Sequence, residues 1–222
     1  MAKTTAKQGS KESVDIREKI IGSYKEHKLM HGEQPKSVFA FAKSIKIEEA
    51  QFFEHFSSMV DLESEIWEDM INSVVTAVNN DANYPEFSVR EKLLSFYYTM
   101  LEVLKANRSY VLMELEEVKP GLKEAPQMKK MKAAYLDYIQ GLVIEGNDTG
   151  EIPNRPFVSD QYKHGFWAQL MFLVNFWKND TSKGFESTDA AVEKSVNLSL
   201  DLVEKGPIDS MIDFAKFLYQ NK

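Results

Sequence analysis

The sequence predicts an all-α protein. Apolar residues recur at helical spacing through most of its length, and glycine or proline marks the breaks between those stretches. No stretch alternates in the way a half-buried strand does. The pattern predicts about ten helices, short ones near the front and longer ones behind them.

Residues 1–12 are polar and lysine-dotted, and are expected to form a disordered basic arm. A first helix starts near Ser13, where Ser13, Asp15 and Glu18 supply cap and dipole signals. Ile16, Ile20, Tyr24 and Leu29 form its apolar stripe, and Gly32 stops it. After Pro35, Ser37 can cap a second helix over 38–44, with Val38, Phe41 and Ala42 inward. A third runs over 48–55, pinned by Ile47, Phe52 and Phe56. A long helix over 60–79 carries Leu62, Ile66, Met70, Val74 and Val78 on one stripe. After a loop over 79–88, the spacing predicts helices over 89–106 and 110–118, the second ended by Pro120-Gly121. Pro126 opens another long helix over 128–145, which GNDTGEIP (146–153) ends. Helices over 160–178 and 188–204 follow, and after Gly206-Pro207 a last one over 208–219.

Composition narrows the function classes. There is no cysteine, so disulfides, thiolate metal sites and cysteine nucleophiles are excluded. The front of the chain lacks the apolar core of a signal peptide, and the longest near-apolar run, 166–177, is too short to cross a bilayer. A cytoplasmic protein without a membrane span is expected. The net charge of −7 is the wrong sign for a general nucleic-acid coat. It is unevenly placed, however. Residues 1–56 hold ten Lys/Arg against eight Asp/Glu, and the rest is strongly acidic. A small basic head on an acidic body fits a DNA reader, although a solvated surface has the same composition.

The stretch SVFAFAKSIKIEEAQFFEHF (37–56) reads as two short helices joined by a tight turn, the outline of a helix-turn-helix. Ser37 and the first N–H groups of its helix can meet a phosphate, and Lys36, Lys43 and Lys46 supply charge. Gln51 can pair with adenine, Glu48 or Glu49 can accept from cytosine, and His55 can touch the backbone. Phe52, Phe53 and Phe56 read equally as core.

With these helices placed, residues 20–62 resemble the DNA-binding domain of the TetR/AcrR family of regulators. The resemblance rests on Gly32, Ser37-Val38, Phe41-Ala42, the aromatic box of Phe53 and Phe56, and Leu62. LVIEGNDTGEIP (142–153) resembles an element of the family's ligand domain. The chain departs from the family pattern at Lys46 (usually Gly), Phe53 (Tyr), Met59 (Lys), and in carrying Glu48 and Glu49 at the start of the reading helix. The resemblance implies a DNA-binding domain over 13–58 and a larger ligand-binding and dimerisation domain over 59–222. It implies a DNA surface made of Lys36, Ser37, Val38, Lys46, Glu48, Glu49, Gln51, Phe53 and His55.

In the body, Phe96, Tyr97, Met100, Met113, Met131, Tyr135, Tyr138 and Trp167 are candidate lining for an apolar small molecule or lipid. Aromatic and Met stripes at this spacing also describe plain core. The resemblance implies a homodimer formed by the last two long helices. The helix over 160–178 is apolar nearly all round, as a helix buried on two faces must be. Phe166, Leu170, Val174 and Trp177, with Val192, Val196 and Leu200, are the expected dimer interface. Phe172 and Phe176 lie round the other side.

His27 and His31 stand i,i+4 without further ligand signals, and Glu114, Glu116 and Glu117 read as a solvated face. No phosphate-loop, dinucleotide or nucleophile-elbow motif is present, so neither a cofactor, nor a metal, nor an enzyme is expected. The expectation is a ligand-responsive TetR-type regulator, acting as a repressor on double-stranded DNA. The alternative is a TetR-like carrier or accessory protein that binds lipid and has lost DNA binding.

Overall fold

The computed structural model describes residues 2–117, 125–155 and 159–205. They form nine α-helices and contain no strand: α1 (Ala2–His31), α2 (Val38–Ser44), α3 (Glu49–Phe53), α4 (Met59–Asn79), α5 (Val89–Ala106), α6 (Arg108–Glu117), α7 (Lys129–Thr149), α8 (Ser159–Asn179) and α9 (Glu186–Lys205). The predicted helix over 208–219 lies outside the described residues.

Helix α1 begins at Ala2, ahead of the start expected near Ser13. Ala, Lys, Gln and Glu dominate the intervening segment and favour helix. Adding them to a helix already nucleated costs little.

The chain divides into two compact units, Met1–Asp69 with Leu104–Met131, and Met70–Val103 with Lys132–Lys222. In the first unit, α1, α2 and α3 close on an aromatic centre. Tyr24 and Phe41 meet edge to face at 6.0 Å, Phe41 and Phe52 at 6.3 Å, and Phe56 joins Phe52 at 5.7 Å. Ile20, Tyr24, Phe41, Ala42, Phe52 and Phe56 are all buried. Each large side chain removed from water contributes roughly 1.5–3 kcal/mol.

Two local devices set the head's geometry. Ser37 is the N-cap of α2, its Oγ accepting from the Ala40 N–H at 3.1 Å. At the other end of α2, Ile47 N–H donates to Ala42 O at 3.0 Å and Lys46 N–H to Lys43 O at 3.2 Å. This nested pair is a Schellman stop, with Lys46 at the left-handed position (φ 57°).

Helix α4 opens on Ser58, whose Oγ accepts from Asp61 N–H at 3.1 Å, while Asp61 accepts from the N–H of the preceding Ser57 at 2.8 Å. Lys130 reaches Asp61 at 2.8 Å and Glu65 at 3.0 Å.

The second unit is held by α5, α7, α8 and α9. Helix α7 runs past its predicted end to Thr149, through Gly146. Ile152 folds back over that glycine, its N–H bonded to Gly146 O at 2.9 Å. A Cβ at Gly146 would stand 2.7 Å from Ile152 Cγ1, so only glycine fits there. Between α8 and α9, Asp180 accepts from Ser182 N–H, Thr188 N–H and Thr188 Oγ1 at 2.6–2.9 Å. Hydrogen bonds from Thr188 and then Ser182 hold its carboxyl down to about 2.

Candidate functional site

The structure gathers the expected DNA-facing residues on α2, the following turn and α3. Lys36, Ser37, Lys46 and Glu48 are exposed, and Val38, Glu49, Gln51 and His55 are partly so. Phe53 is 51% exposed, whereas Phe52 and Phe56 are core, which resolves the two readings of this aromatic box. Phe53 packs edge to face on Phe52 at 5.5 Å. Gln51 Oε1 accepts from Glu48 N–H at 3.0 Å, fixing the start of α3. The Glu48 carboxylate lies 3.5 Å from Lys43 Nζ, and Lys43 also stands over the exposed Phe39 ring at 5.8 Å. Residues 36–56 hold three lysines and three glutamates, so the surface is close to neutral, and the exposed Phe39 and Phe53 make it partly apolar.

The His27 and His31 rings are 4.4 Å apart. Burial, then His31, lowers the pKa of His27. Among the described residues no three His, Cys, Asp or Glu side chains group as a metal site would require.

One charged cluster escaped the sequence reading. Lys28 is 1% exposed and bridges two carboxylates, Glu63 of α4 at 3.2 Å and Glu114 of α6 at 2.5 Å. Tyr24 donates its hydroxyl to the same Glu63, and burial pushes the Tyr24 pKa up strongly. Lys25 binds Asn107 Oδ1 at 3.0 Å and stands over the Tyr110 ring at 5.5 Å. Glu114 is therefore not part of a solvated face. It is fully buried, and only its position facing Lys28 reveals why. The sequence signal was the Lys28 position itself, one turn beyond Tyr24 on the inward stripe.

The body candidates divide. Met113 and Met131 belong to the first unit; Phe96, Tyr97, Met100, Tyr135, Tyr138 and Trp167 belong to the second. Phe96 stacks on Tyr138 at 4.5 Å and meets Tyr135 at 5.5 Å, and Tyr135 meets Trp167 at 5.9 Å. The hydroxyls are paired: Tyr97 with Tyr135 at 2.7 Å and Tyr84 with Tyr138 at 2.7 Å. Burial raises the pKa of each of these tyrosines. Beside them Lys92, 4% exposed, pairs with Glu145 and stands over Tyr84 at 5.4 Å. The sequence had offered no charged residue here. Lys92 was legible as a lysine one turn before Phe96 on the apolar stripe.

The expected dimer stripe needs correction. Phe166, Leu170, Val174, Trp177, Val192, Val196 and Leu200 are all buried within the single chain, where α8 and α9 pack together. Periodicity finds stripes but does not say which one faces inward. The outward apolar side chains are Phe172, Phe176, Leu198 and Leu202. No described helix is long and apolar enough to cross a membrane.

Comparison with known proteins agrees with this architecture. The family of tetracyclin repressor-like C-terminal domains matches residues 92–218, more than half of the chain. No curated protein sequence matches. A structure from Syntrophomonas wolfei described as a TetR-family transcriptional regulator superposes with a TM-score of 0.64 at 15% identity, covering 85% of this chain and 95% of that one. A protein from Shewanella sp. PV-4 described in the same way gives 0.55 at 14%, over 84% and 96%. The fatty acid degradation regulator FadR of Bacillus halodurans gives 0.55 at 16%, over 85% and 98%. With most of its body matched by the family and its fold shared with these proteins, the chain belongs to the TetR family of transcriptional regulators.

Proposed function

We propose that this protein is a cytoplasmic, ligand-responsive repressor that binds operator DNA as a homodimer, with the head over 13–58 on DNA and the body over 59–222 holding ligand and partner. The observation that carries the reading is the α2–turn–α3 unit, whose aromatic residues anchor one face while Lys36, Ser37, Lys46, Glu49 and Phe53 stand outward. Two such heads would enter successive major grooves about one DNA turn apart. Ser37 and Lys36 would hold phosphates, with Lys46 adding charge at the turn.

In the body, the aromatic cluster around Phe96, Tyr135 and Tyr138, with Lys92 and Glu145 at its side, supports an apolar ligand with a polar end. A ligand that prefers one arrangement of the body lowers DNA affinity by that preference and no more. The near-neutral reading surface supports the second reading, a lipid-binding protein that has lost DNA.

Binding of the purified dimer to its own upstream DNA, at low and physiological salt and against a scrambled duplex, tests the proposal. Specific, salt-sensitive binding is expected. A folded dimer that binds neither duplex, yet carries lipid, would overturn it in favour of the carrier.

A further inference from the structure

The outward face of α3 restricts which bases it can read. Glu49 and Phe53 are four residues apart, so they share one face about 6 Å apart along the axis. Ala50 is exposed beside them, and Phe53 is 51% exposed. Two of the polar groups at the start of α3 are engaged. Gln51 Oε1 accepts from Glu48 N–H at 3.0 Å, and the Glu48 carboxylate lies 3.5 Å from Lys43 Nζ. Bidentate pairing with adenine needs both ends of the Gln51 amide, and one end already holds the helix start. On the outward face of α3 itself that leaves the Glu49 carboxylate and the Phe53 ring as readers, with Lys46 before the helix and His55 after it.

Their chemistry selects bases. A carboxylate only accepts. In the major groove guanine offers acceptors, and adenine sets an acceptor beside its amino group. Cytosine presents its N4 amino group with no neighbouring acceptor of its own. A phenyl ring without a hydroxyl can offer only apolar contact, for which the thymine 5-methyl is the matching feature. The 6 Å spacing corresponds to about two base steps of roughly 3.4 Å each. Resting on the regulator reading above, we infer that α3 reads each operator half-site through Glu49 on a cytosine and Phe53 on a thymine about two base steps away. The residues that make this head look unsuited to DNA are then its specificity determinants, and lysines outside α3 hold the backbone.

Selection of the full-length protein against a randomised duplex pool at low salt tests the inference. The expected enriched half-site contains a C·G and a T·A pair about two steps apart. Glu49→Gln should move the first preference from cytosine to adenine, a change of roughly tenfold or more in relative affinity. Replacing the selected thymine by uracil removes only the methyl group. It should weaken wild-type binding several-fold and leave Phe53→Ala unaffected. The uracil arm alters the DNA alone, so it does not depend on how a variant folds. An enriched site indifferent to that cytosine, an unchanged preference in folded Glu49→Gln, or uracil binding as well as thymine would each overturn the inference while leaving the regulator intact. No enrichment by a folded dimer at any salt would remove the regulator reading itself, and this inference with it.

Discussion

Lys46 occupies the left-handed stop of α2 at φ 57°, where the family usually has glycine. A side chain there costs roughly 1 kcal/mol, partly offset by the greater freedom glycine has when unfolded. Lys46→Gly is expected to stabilise the protein by at most about 0.5 kcal/mol in urea titration. Loss of stability instead would mean that the lysine side chain makes a contact stronger than the backbone strain. Asp61 gives a pH-dependent prediction. A hydrogen bond from Lys130, then one from the Ser57 backbone, holds its carboxyl below the ordinary 3.8. A depressed carboxyl contributes stability above its unfolded value and loses it as pH falls through the folded value. Asp61→Asn should therefore lose about 1 kcal/mol at neutral pH. The gap between wild type and variant should close below about pH 4. A gap that stays constant from neutral to acid pH would assign the loss to packing. At this scale the site was half legible. Lys46, Glu48 and Phe53 were identifiable as departures from sequence alone. That Gln51 is tied to Glu48 was not, because capping depends on where the third helix begins.

At the scale of elements, periodicity located α2 and α5 to the residue and most others within a few. The misses have physical causes. Helix α1 grew into a segment whose composition is as suitable for helix as for disorder, and α7 ran through Gly146 because Ile152 covers it. Helix α6 was found, but its tie to α1 was not: periodicity puts Lys28 on the inward stripe and is silent on which distant carboxylate it meets. Lys28 joins α1 to both α4 and α6. Removing one partner of a buried ion pair commonly costs about 3–5 kcal/mol, because the other charge stays buried. Lys28→Met is expected to destabilise by that order. Glu114→Gln in the Lys28→Met background should cost far less than Glu114→Gln alone, which a double-mutant cycle on unfolding free energy reads directly. Additive losses would show that Lys28 and Glu114 act independently, and would leave the Lys25–Tyr110 contact as the tie between α1 and α6.

For the molecule as a whole, the proposed dimer depends on which apolar stripes the fold leaves outside. The stripe chosen from sequence is the chain's own core; Phe172 and Phe176 on α8, 5.9 Å apart, and Leu198 and Leu202 on α9 are the outward ones. Each pair stands one turn apart on its own helix, and outward apolar side chains of this kind are what a second copy can cover about a two-fold axis. A half-exposed Phe or Leu gains on the order of 1 kcal/mol when a partner covers it. Phe172→Glu with Leu198→Glu alters four side chains across the two copies. It should weaken dimerisation by about 4 kcal/mol, near a thousandfold in Kd, before any cost of burying the new charges. Sedimentation at micromolar concentration should then show a folded monomer with unchanged helix content. Operator affinity should fall with it, because a single head makes half the backbone contacts. Phe166→Ala or Val196→Ala should instead lower the melting temperature while leaving dimerisation intact, since those side chains are buried within one chain. A Phe172→Glu/Leu198→Glu protein that still sediments as a dimer would place the shared surface elsewhere on the body.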